Sequence, residues 1–208
     1  QYGRFDVVSQ GLRQPGSSIK PFTYAAAFEK GYTPATLLMD VQTEFPNQGE
    51  KSYTPVNYDG KYRGPVQLRF ALGNSYNIPA VKLLALTGIK PTLQTAHDMG
   101  ISTLAPTSDN IKRFGLSLTL GGGEVRLVEL TNAYGSFARG GEYLPVRAIL
   151  EVKDHRNKSI YKARQEKPKS VISQATAFLI SHILTDNVAR TEAFGPNSYL
   201  NVKGKTVA

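Results

Sequence analysis

The chain has 208 residues, of which 40% are hydrophobic and 10% aromatic, and Lys and Arg outnumber Asp and Glu by 25 to 16. This composition is typical of a globular protein with one domain, or one domain and a small lobe, and it excludes an intrinsically disordered chain. The chain has no cysteine, which excludes disulfides, cysteine-ligated zinc and thiol catalysis. No apolar run approaches the roughly 18 residues of a membrane-spanning helix, so we expect no segment that crosses a bilayer.

The predicted elements are mainly helices. Residues 1–16 are irregular to extended and end in a Pro-Gly turn. Helical patterns then cover Ser17–Lys30, Val66–Leu72, Ile78–Leu86, Pro91–Met99, Glu124 to about Arg139, and Gln174–Thr185. Strand-like runs cover Val146–Lys153 and Ser159–Tyr161, with a hairpin turn between them, and Val202–Ala208 resembles the start of a further strand. Residues 32–64 and 101–114 are predicted to be loops.

The basic residues give a formal net charge of +9, which raises the question of a nucleic-acid partner. Their densest stretch lies between Lys153 and Lys169, and no zinc-finger or RNA-recognition signature accompanies it. We interpret the stretch as a solvated surface and expect no nucleic acid to bind. The histidines, His97, His155 and His182, are too far apart to indicate a metal site, and we expect neither a metal nor another cofactor.

Ser17 and Lys20 begin the first predicted helix, directly after Pro15-Gly16. A spacing of three residues places both side chains on one helix face. A serine hydroxyl needs an adjacent base, and a lysine serves as that base only when desolvation lowers its pKa from about 10.4 toward 7. Backbone N–H groups at the helix start suit an oxyanion formed on an attacked carbonyl. A helix-capping serine and an ordinary helical lysine give the same pattern, which is therefore weak evidence alone.

A second short motif, Ser75-Tyr76-Asn77, lies between two predicted helices. Such a turn can direct a hydroxyl and an amide into one cleft, where the serine relays a proton and the asparagine binds a peptide backbone. A helix-capping loop before Ile78-Pro79 explains the same residues. A Ser-x-x-Lys pattern followed by Ser-x-Asn is nevertheless the order found in penicillin-binding proteins and class A β-lactamases, in which a Lys-Thr-Gly element comes third.

Several longer blocks resemble the transpeptidase domain of the class A, bifunctional penicillin-binding proteins. In the family's order they are Arg13–Tyr24, Ala71–Val81, Leu120–Val125 with Asn132–Gly141, and Leu184–Arg190 with Phe194–Ser198. The resemblance spans nearly the whole chain. It implies an α+β fold of the penicillin-binding-protein transpeptidase and serine β-lactamase type. Residues 1–208 would then be a partial domain that contains mostly the helical lobe with a truncated antiparallel sheet.

The resemblance also implies a reaction and its residues. Ser17 would be the nucleophile and Lys20 the base, with Ser75 as proton relay and Asn77 as the contact to the substrate backbone. The substrates would be peptidoglycan stem peptides ending in D-Ala-D-Ala, and β-lactam antibiotics would acylate the same serine. The parent chain would be anchored in the bacterial membrane, follow a glycosyltransferase domain, and act on the extracytoplasmic face.

The third motif departs from the family's pattern. Lys205-Thr206-Val207 has valine in place of glycine, so we assign neither Lys205 nor Thr206 a catalytic role and expect Lys-Thr-Gly to follow Ala208. The chain also begins at Gln1 without Met, which suggests part of a longer protein, and we expect residues 1–208 alone to be inactive. Alternatives are a D,D-carboxypeptidase or serine β-lactamase, a β-lactam-binding sensor without transfer activity, and a basic binding domain.

Overall fold

The computed structural model describes residues 2–46, 52–205 and 207, and within them the protein is a helical lobe with short strands at its margins. Its helices are α1 (Lys20–Glu29), α2 (Leu68–Gly73), α3 (Asn77–Thr87), α4 (Ile89–Asp98), α5 (Ser108–Phe114), α6 (Leu127–Ala138), α7 (Gln174–Leu184) and α8 (Thr191–Phe194). Short 3-10 helices cover Tyr2–Arg4, Gly16–Ile19, Ser102–Leu104 and Gly115–Leu120.

Helix α1 is the centre of the lobe, and every residue from Lys20 to Phe28 is buried. It packs against α3, α4 and α7. The run Ala25-Ala26-Ala27 explains this position, because methyl side chains allow neighbouring helices to approach from several directions. Aromatic packing closes one side, where the rings of Phe22 and Tyr134 meet edge to face with centroids 5.6 Å apart.

The strands form antiparallel pairs. The pairs are β1 (Leu12–Arg13) with β4 (Val125–Arg126), β2 (Leu37–Asp40) with β3 (Gly64–Gln67), β5 (Glu142–Tyr143) with β8 (Lys169–Ser170), and β6 (Glu151–Lys153) with β7 (Ser159–Lys162). The hairpin of β6 and β7 is exposed along both strands. Many helices with short antiparallel strands confirm the predicted α+β class.

The predicted helices are all present, with ends displaced by one to three residues at most positions. Two loop predictions are wrong: residues 32–64 contain β2 and the start of β3, and residues 101–114 contain α5, which Thr107 caps by accepting a hydrogen bond from the Asn110 N–H at 3.2 Å. The strand predicted at Val146–Lys153 is reduced to β6.

The strand predicted at Val202–Ala208 is also wrong for residues 202–205 and 207, which have no strand conformation. The Lys205 N–H donates to the Val202 carbonyl at 3.1 Å, and Gly204 has φ +73°, so this segment forms a turn. Thr206 and Ala208 lie outside the described residues. Within the described part of the chain, no helix is long and apolar enough to span a membrane, and no three His, Cys, Asp or Glu residues cluster as metal ligands would.

Candidate active site

Ser17 lies on the 3-10 turn that leads into α1, and its side chain is exposed to a cleft. Neighbouring groups hold the turn: the Ser18 hydroxyl donates to the Pro15 carbonyl at 2.6 Å, and the Tyr134 hydroxyl donates to the Ser18 carbonyl at 2.7 Å. Among the described residues, no hydrogen bond engages the Ser17 hydroxyl. The sequence Ser17-Ser18 therefore contains one structural hydroxyl and one that is available for chemistry.

Gly121 packs directly against the backbone of this turn. A side chain there would place its Cβ 2.3 Å from the Gly16 backbone nitrogen, and Gly121 also has φ +95°. Only glycine meets both conditions, so Gly121 allows close backbone packing against the turn that carries Ser17. Pairing of β1 with β4 joins the same two segments a few residues away.

Lys20 is 1% exposed, yet its ammonium group has three oxygen partners. The Nζ atom donates to the Ser75 carbonyl at 2.5 Å, to the Asn77 Oδ1 at 2.7 Å and to the Ser75 Oγ at 3.1 Å. Burial lowers the pKa of Lys20 from 10.5 to about 7. A neutral amine is thus well populated at neutral pH, whereas an ordinary lysine would be neutral in roughly one molecule in two thousand.

These three contacts differ in what they can do when Lys20 loses a proton. A carbonyl and an amide oxygen only accept hydrogen bonds, so two N–H groups of the neutral amine remain directed at the Ser75 carbonyl and Asn77 Oδ1. A hydroxyl can also donate, so the Ser75 Oγ contact can reverse direction. The geometry therefore leaves the amine lone pair free for the proton of the Ser75 hydroxyl, and Ser17 lines the same cleft.

The conformation of Ser75 makes this arrangement possible. Helix α2 ends at Gly73, and Ser75 then adopts φ +59°, the left-handed conformation that closes helices and is usually occupied by glycine or asparagine. For serine this conformation costs about 1 kcal/mol or more. It turns both the carbonyl and the hydroxyl of Ser75 toward Lys20.

The middle residue of the same turn, Tyr76, is held by charged side chains. Its hydroxyl donates to Glu192 of α8, and the guanidinium of Arg63 lies 4.3 Å from its ring centroid. Arg63 Nε also donates to Glu192 at 2.7 Å. The hydrogen bond from Tyr76 is the main reason that the pKa of Glu192 is lowered. Sequence reasoning missed Glu192 because its contacts with Tyr76 and Arg63 join segments more than a hundred residues apart.

The cleft has a volume of about 400 Å³, and Ser17, Lys20 and Ser75 line it together with apolar residues such as Leu72 and Phe194. Asn77 reaches it through its contact with Lys20. No carboxylate is present among the described residues that line it. Arg190 does line the cleft, is buried, and has no hydrogen-bond partner at Nη2 among the described residues.

All four residues predicted from the two short motifs therefore meet in one place. Lys205, which was left without a role, lies in an exposed turn and does not line this cleft. A buried lysine of lowered pKa beside two serines and an amide, at the start of a central helix, is an arrangement suited to serine acyl transfer.

Comparison with known proteins places the chain in a family. The penicillin-binding-protein transpeptidase domain matches residues 6–206. Penicillin-binding protein 2D of Bacillus subtilis is 33% identical over 100% of the chain, and penicillin-binding protein 1A of Rickettsia bellii is 36% identical over 76% of it. The chain belongs to the penicillin-binding-protein transpeptidases, a family of serine acyltransferases, as its motifs predicted.

Solved structures agree on the fold. The crystal structure of penicillin-binding protein 1A from Haemophilus influenzae superposes on 97% of the chain with a TM-score of 0.80 and 29% identity, and it is covered to 33%. PonA1 from Mycobacterium tuberculosis superposes on 98% of the chain with a TM-score of 0.77 at 20% identity, and it is covered to 53%. The chain spans only 29% of the Bacillus relative and 19% of the Rickettsia relative.

Proposed function

We propose that the protein is a peptidoglycan D,D-transpeptidase in which Ser17 forms an acyl-enzyme. The observation that carries the proposal is the buried Lys20 amine, with its pKa near 7, in contact with Ser75 and Asn77 and within the cleft that Ser17 lines. Metal-free serine chemistry of this kind needs a base that is neutral at working pH, and the burial of Lys20 supplies one.

The proposed reaction has two steps. Ser17 Oγ attacks the carbonyl carbon of the penultimate D-alanine while its proton passes to Lys20 Nζ. The C–N bond then breaks, the leaving D-alanine nitrogen takes a proton through Ser75 Oγ, and an ester forms on Ser17. An amine of a neighbouring stem attacks that ester, the C–O bond to Ser17 breaks as the cross-linking amide forms, and a proton of the attacking amine passes to Ser17 Oγ. Asn77 holds Lys20 in place, and we propose that its amide also contacts the substrate backbone.

The family membership extends the proposal beyond this cleft. We propose that β-lactams acylate Ser17. We also propose that in the natural protein a glycosyltransferase domain precedes the transpeptidase domain. The protein would be anchored in the membrane with the transpeptidase domain on the extracytoplasmic face. If water attacked the Ser17 ester in place of the acceptor amine, the same cleft would act as a D,D-carboxypeptidase. If a β-lactam ester on Ser17 persisted, the domain would act as a β-lactam sensor.

The test is the site and fate of acylation in the natural full-length chain. Benzylpenicillin should add one adduct, mapped by peptide mass spectrometry to Ser17, and Ser17→Ala should abolish it. Ser18→Ala is the matched control, since it removes a neighbouring hydroxyl that is engaged with Pro15, and it should keep the adduct. An adduct on Ser18 or Ser75 would contradict the assignment. Incubation with a pentapeptide stem and an amine acceptor then distinguishes amide formation from hydrolysis.

A further inference from the structure

Asn57 is a buried amide whose hydrogen-bonding atoms all point into the protein, and it lies next to the Ser75–Asn77 turn. Its Oδ1 accepts from the backbone N–H groups of Asn77 at 2.8 Å and Ile78 at 3.3 Å, which begin α3. Its Nδ2 donates to the two carboxylate oxygens of Asp40 at 2.8 and 2.9 Å and to the Lys61 carbonyl at 2.8 Å. Asn57 is 3% exposed and Asp40 is 0% exposed.

The chemistry of both neighbours requires an amide at position 57. The start of a helix offers N–H donors and therefore needs an acceptor, whereas the Asp40 carboxylate needs a donor. Asparagine supplies one of each, at opposite ends of one short side chain. An apolar residue would leave buried donors and a buried carboxylate unpaired, and an aspartate would place two carboxylates face to face. Asp40 also accepts from the Arg63 backbone N–H at 3.1 Å, which fixes its orientation.

The same segment also fixes the side chain of Asn77. Asn77 Nδ2 donates to the carbonyl of Val56 at 2.8 Å, while Asn57 holds the Asn77 backbone N–H. With its nitrogen directed at Val56, the amide presents its oxygen on the opposite side, and that oxygen meets Lys20 Nζ at 2.7 Å. Residues 56 and 57 therefore determine which atom of Asn77 faces the amine.

We propose that Asn57, braced by the buried Asp40, is a positioning residue that keeps the Asn77 side-chain oxygen in contact with the Lys20 amine. This inference rests on the proposed function of Lys20 as the base. Neither Asn57 nor Asp40 lines the cleft, so both act through Asn77.

A displaced Asn77 has a measurable effect on Lys20. The Asn77 oxygen stabilises the ammonium form, so losing it lowers the pKa of Lys20 further. The Ser75 oxygens keep their contacts with the amine, and Tyr134 of α6 and Arg190 after α7 line the same cleft. Loss of one hydrogen bond to the ammonium group, partly replaced by water, gives an expected downward shift of about one pH unit.

The experiment compares the pH dependence of benzylpenicillin acylation in the full chain and in its Asn57→Ala variant between pH 5 and 9. The acidic limb, with a midpoint near 7 in the parent protein, should move down by about one unit. Asn110→Ala is the matched control, because Asn110 Nδ2 also joins loop carbonyls, of Thr103 and Ala105, away from this cleft. It should lower stability without moving the midpoint.

An exchanged pair guards against a variant that fails to fold. In Asn57→Asp with Asp40→Asn, the new carboxylate accepts from α3 and from the new amide, and only the contact with the Lys61 carbonyl is lost, so the midpoint should return part of the way toward the parent value. NMR titration of Lys20 Cε gives the same midpoint without acylation, so the inference stays testable if the proposed function fails. A folded Asn57→Ala protein with an unchanged Lys20 midpoint would overturn the inference and leave the proposed function intact.

Discussion

The buried ammonium of Lys20 makes the stability of the whole protein depend on pH in a way that Lys20→Met should remove. The pKa of Lys20 is about 7 in the folded chain because of burial, against 10.5 for an ordinary lysine. Below pH 7 both the folded and the unfolded chains hold the proton, and the folded state bears the full cost of the buried charge. Between about pH 7 and 10.5 the unfolded chain binds more protons, so the free energy of unfolding rises with pH.

The magnitude follows from the difference between the two pKa values. At about 1.4 kcal/mol per unit, the full cost is roughly 4–5 kcal/mol, and roughly 2.5 kcal/mol of it disappears between pH 6 and pH 9. Exposure of 1% at Lys20 means that solvent screening does little to reduce this value. The other titrating groups are common to the protein and its variant, so they cancel when the two are compared.

The assay is urea unfolding of the protein and of Lys20→Met at pH 6, 7, 8 and 9. From pH 6 to pH 9, the free energy of unfolding of the parent protein should rise by roughly 2.5 kcal/mol more than that of the variant. The absolute offset also contains the lost contacts to Ser75 and Asn77, but these do not titrate. Parallel pH profiles would refute the reasoning, because they would mean that Lys20 keeps an ordinary pKa in the folded chain.

Two further substitutions separate stability from chemistry. Ser75→Gly should raise the free energy of unfolding by about 1 kcal/mol, because glycine adopts φ +59° without steric cost. The same variant should lose acylation by benzylpenicillin on the order of 100-fold, because the relay hydroxyl is gone. Unchanged acylation would remove Ser75 from the mechanism. Gly121→Ala should cost about 3 kcal/mol in urea unfolding, since its Cβ meets the Gly16 nitrogen. Gly31→Ala, with a similar φ of +94° and open space, should cost about 1 kcal/mol. Equal losses would mean that strain alone matters at Gly121.

The sequence best predicts contacts between residues that are only a few positions apart along the chain. Ser17 and Lys20 are three residues apart, and Ser75 and Asn77 are two apart, so each motif carries its own spacing. Burial of Lys20 also follows from the apolar residues around it on α1. Local patterns predict most of the helices, while the α+β class and the four site residues followed from the resemblance of these motifs and the longer blocks to a known family.

Hydrogen bonds between residues that are far apart in the sequence leave no such local pattern. Asp40 and Asn57 are 17 residues apart, and Asn57 reaches Asn77 across another 20, inside a stretch rich in proline, glycine and tyrosine that reads as a loop. Helix α5 escaped prediction because it has seven residues and a polar start, although Thr107 at its cap was a usable signal. The strand expected at Val202–Ala208 is wrong for residues 202–205 and 207 for another reason: β structure depends on a partner strand, which a single segment does not specify.

Because α1 lies at the centre of the lobe, the backbone of the candidate active site should stay ordered until the lobe unfolds. Local opening in proteins ranges from fraying ends with almost no cost to core elements that open only with global unfolding, and α1 belongs to the second group. Its amide hydrogens should therefore exchange at the slowest rates in the chain, while those of the exposed β6–β7 hairpin exchange early. The backbone that carries Lys20 should therefore open only when the lobe unfolds.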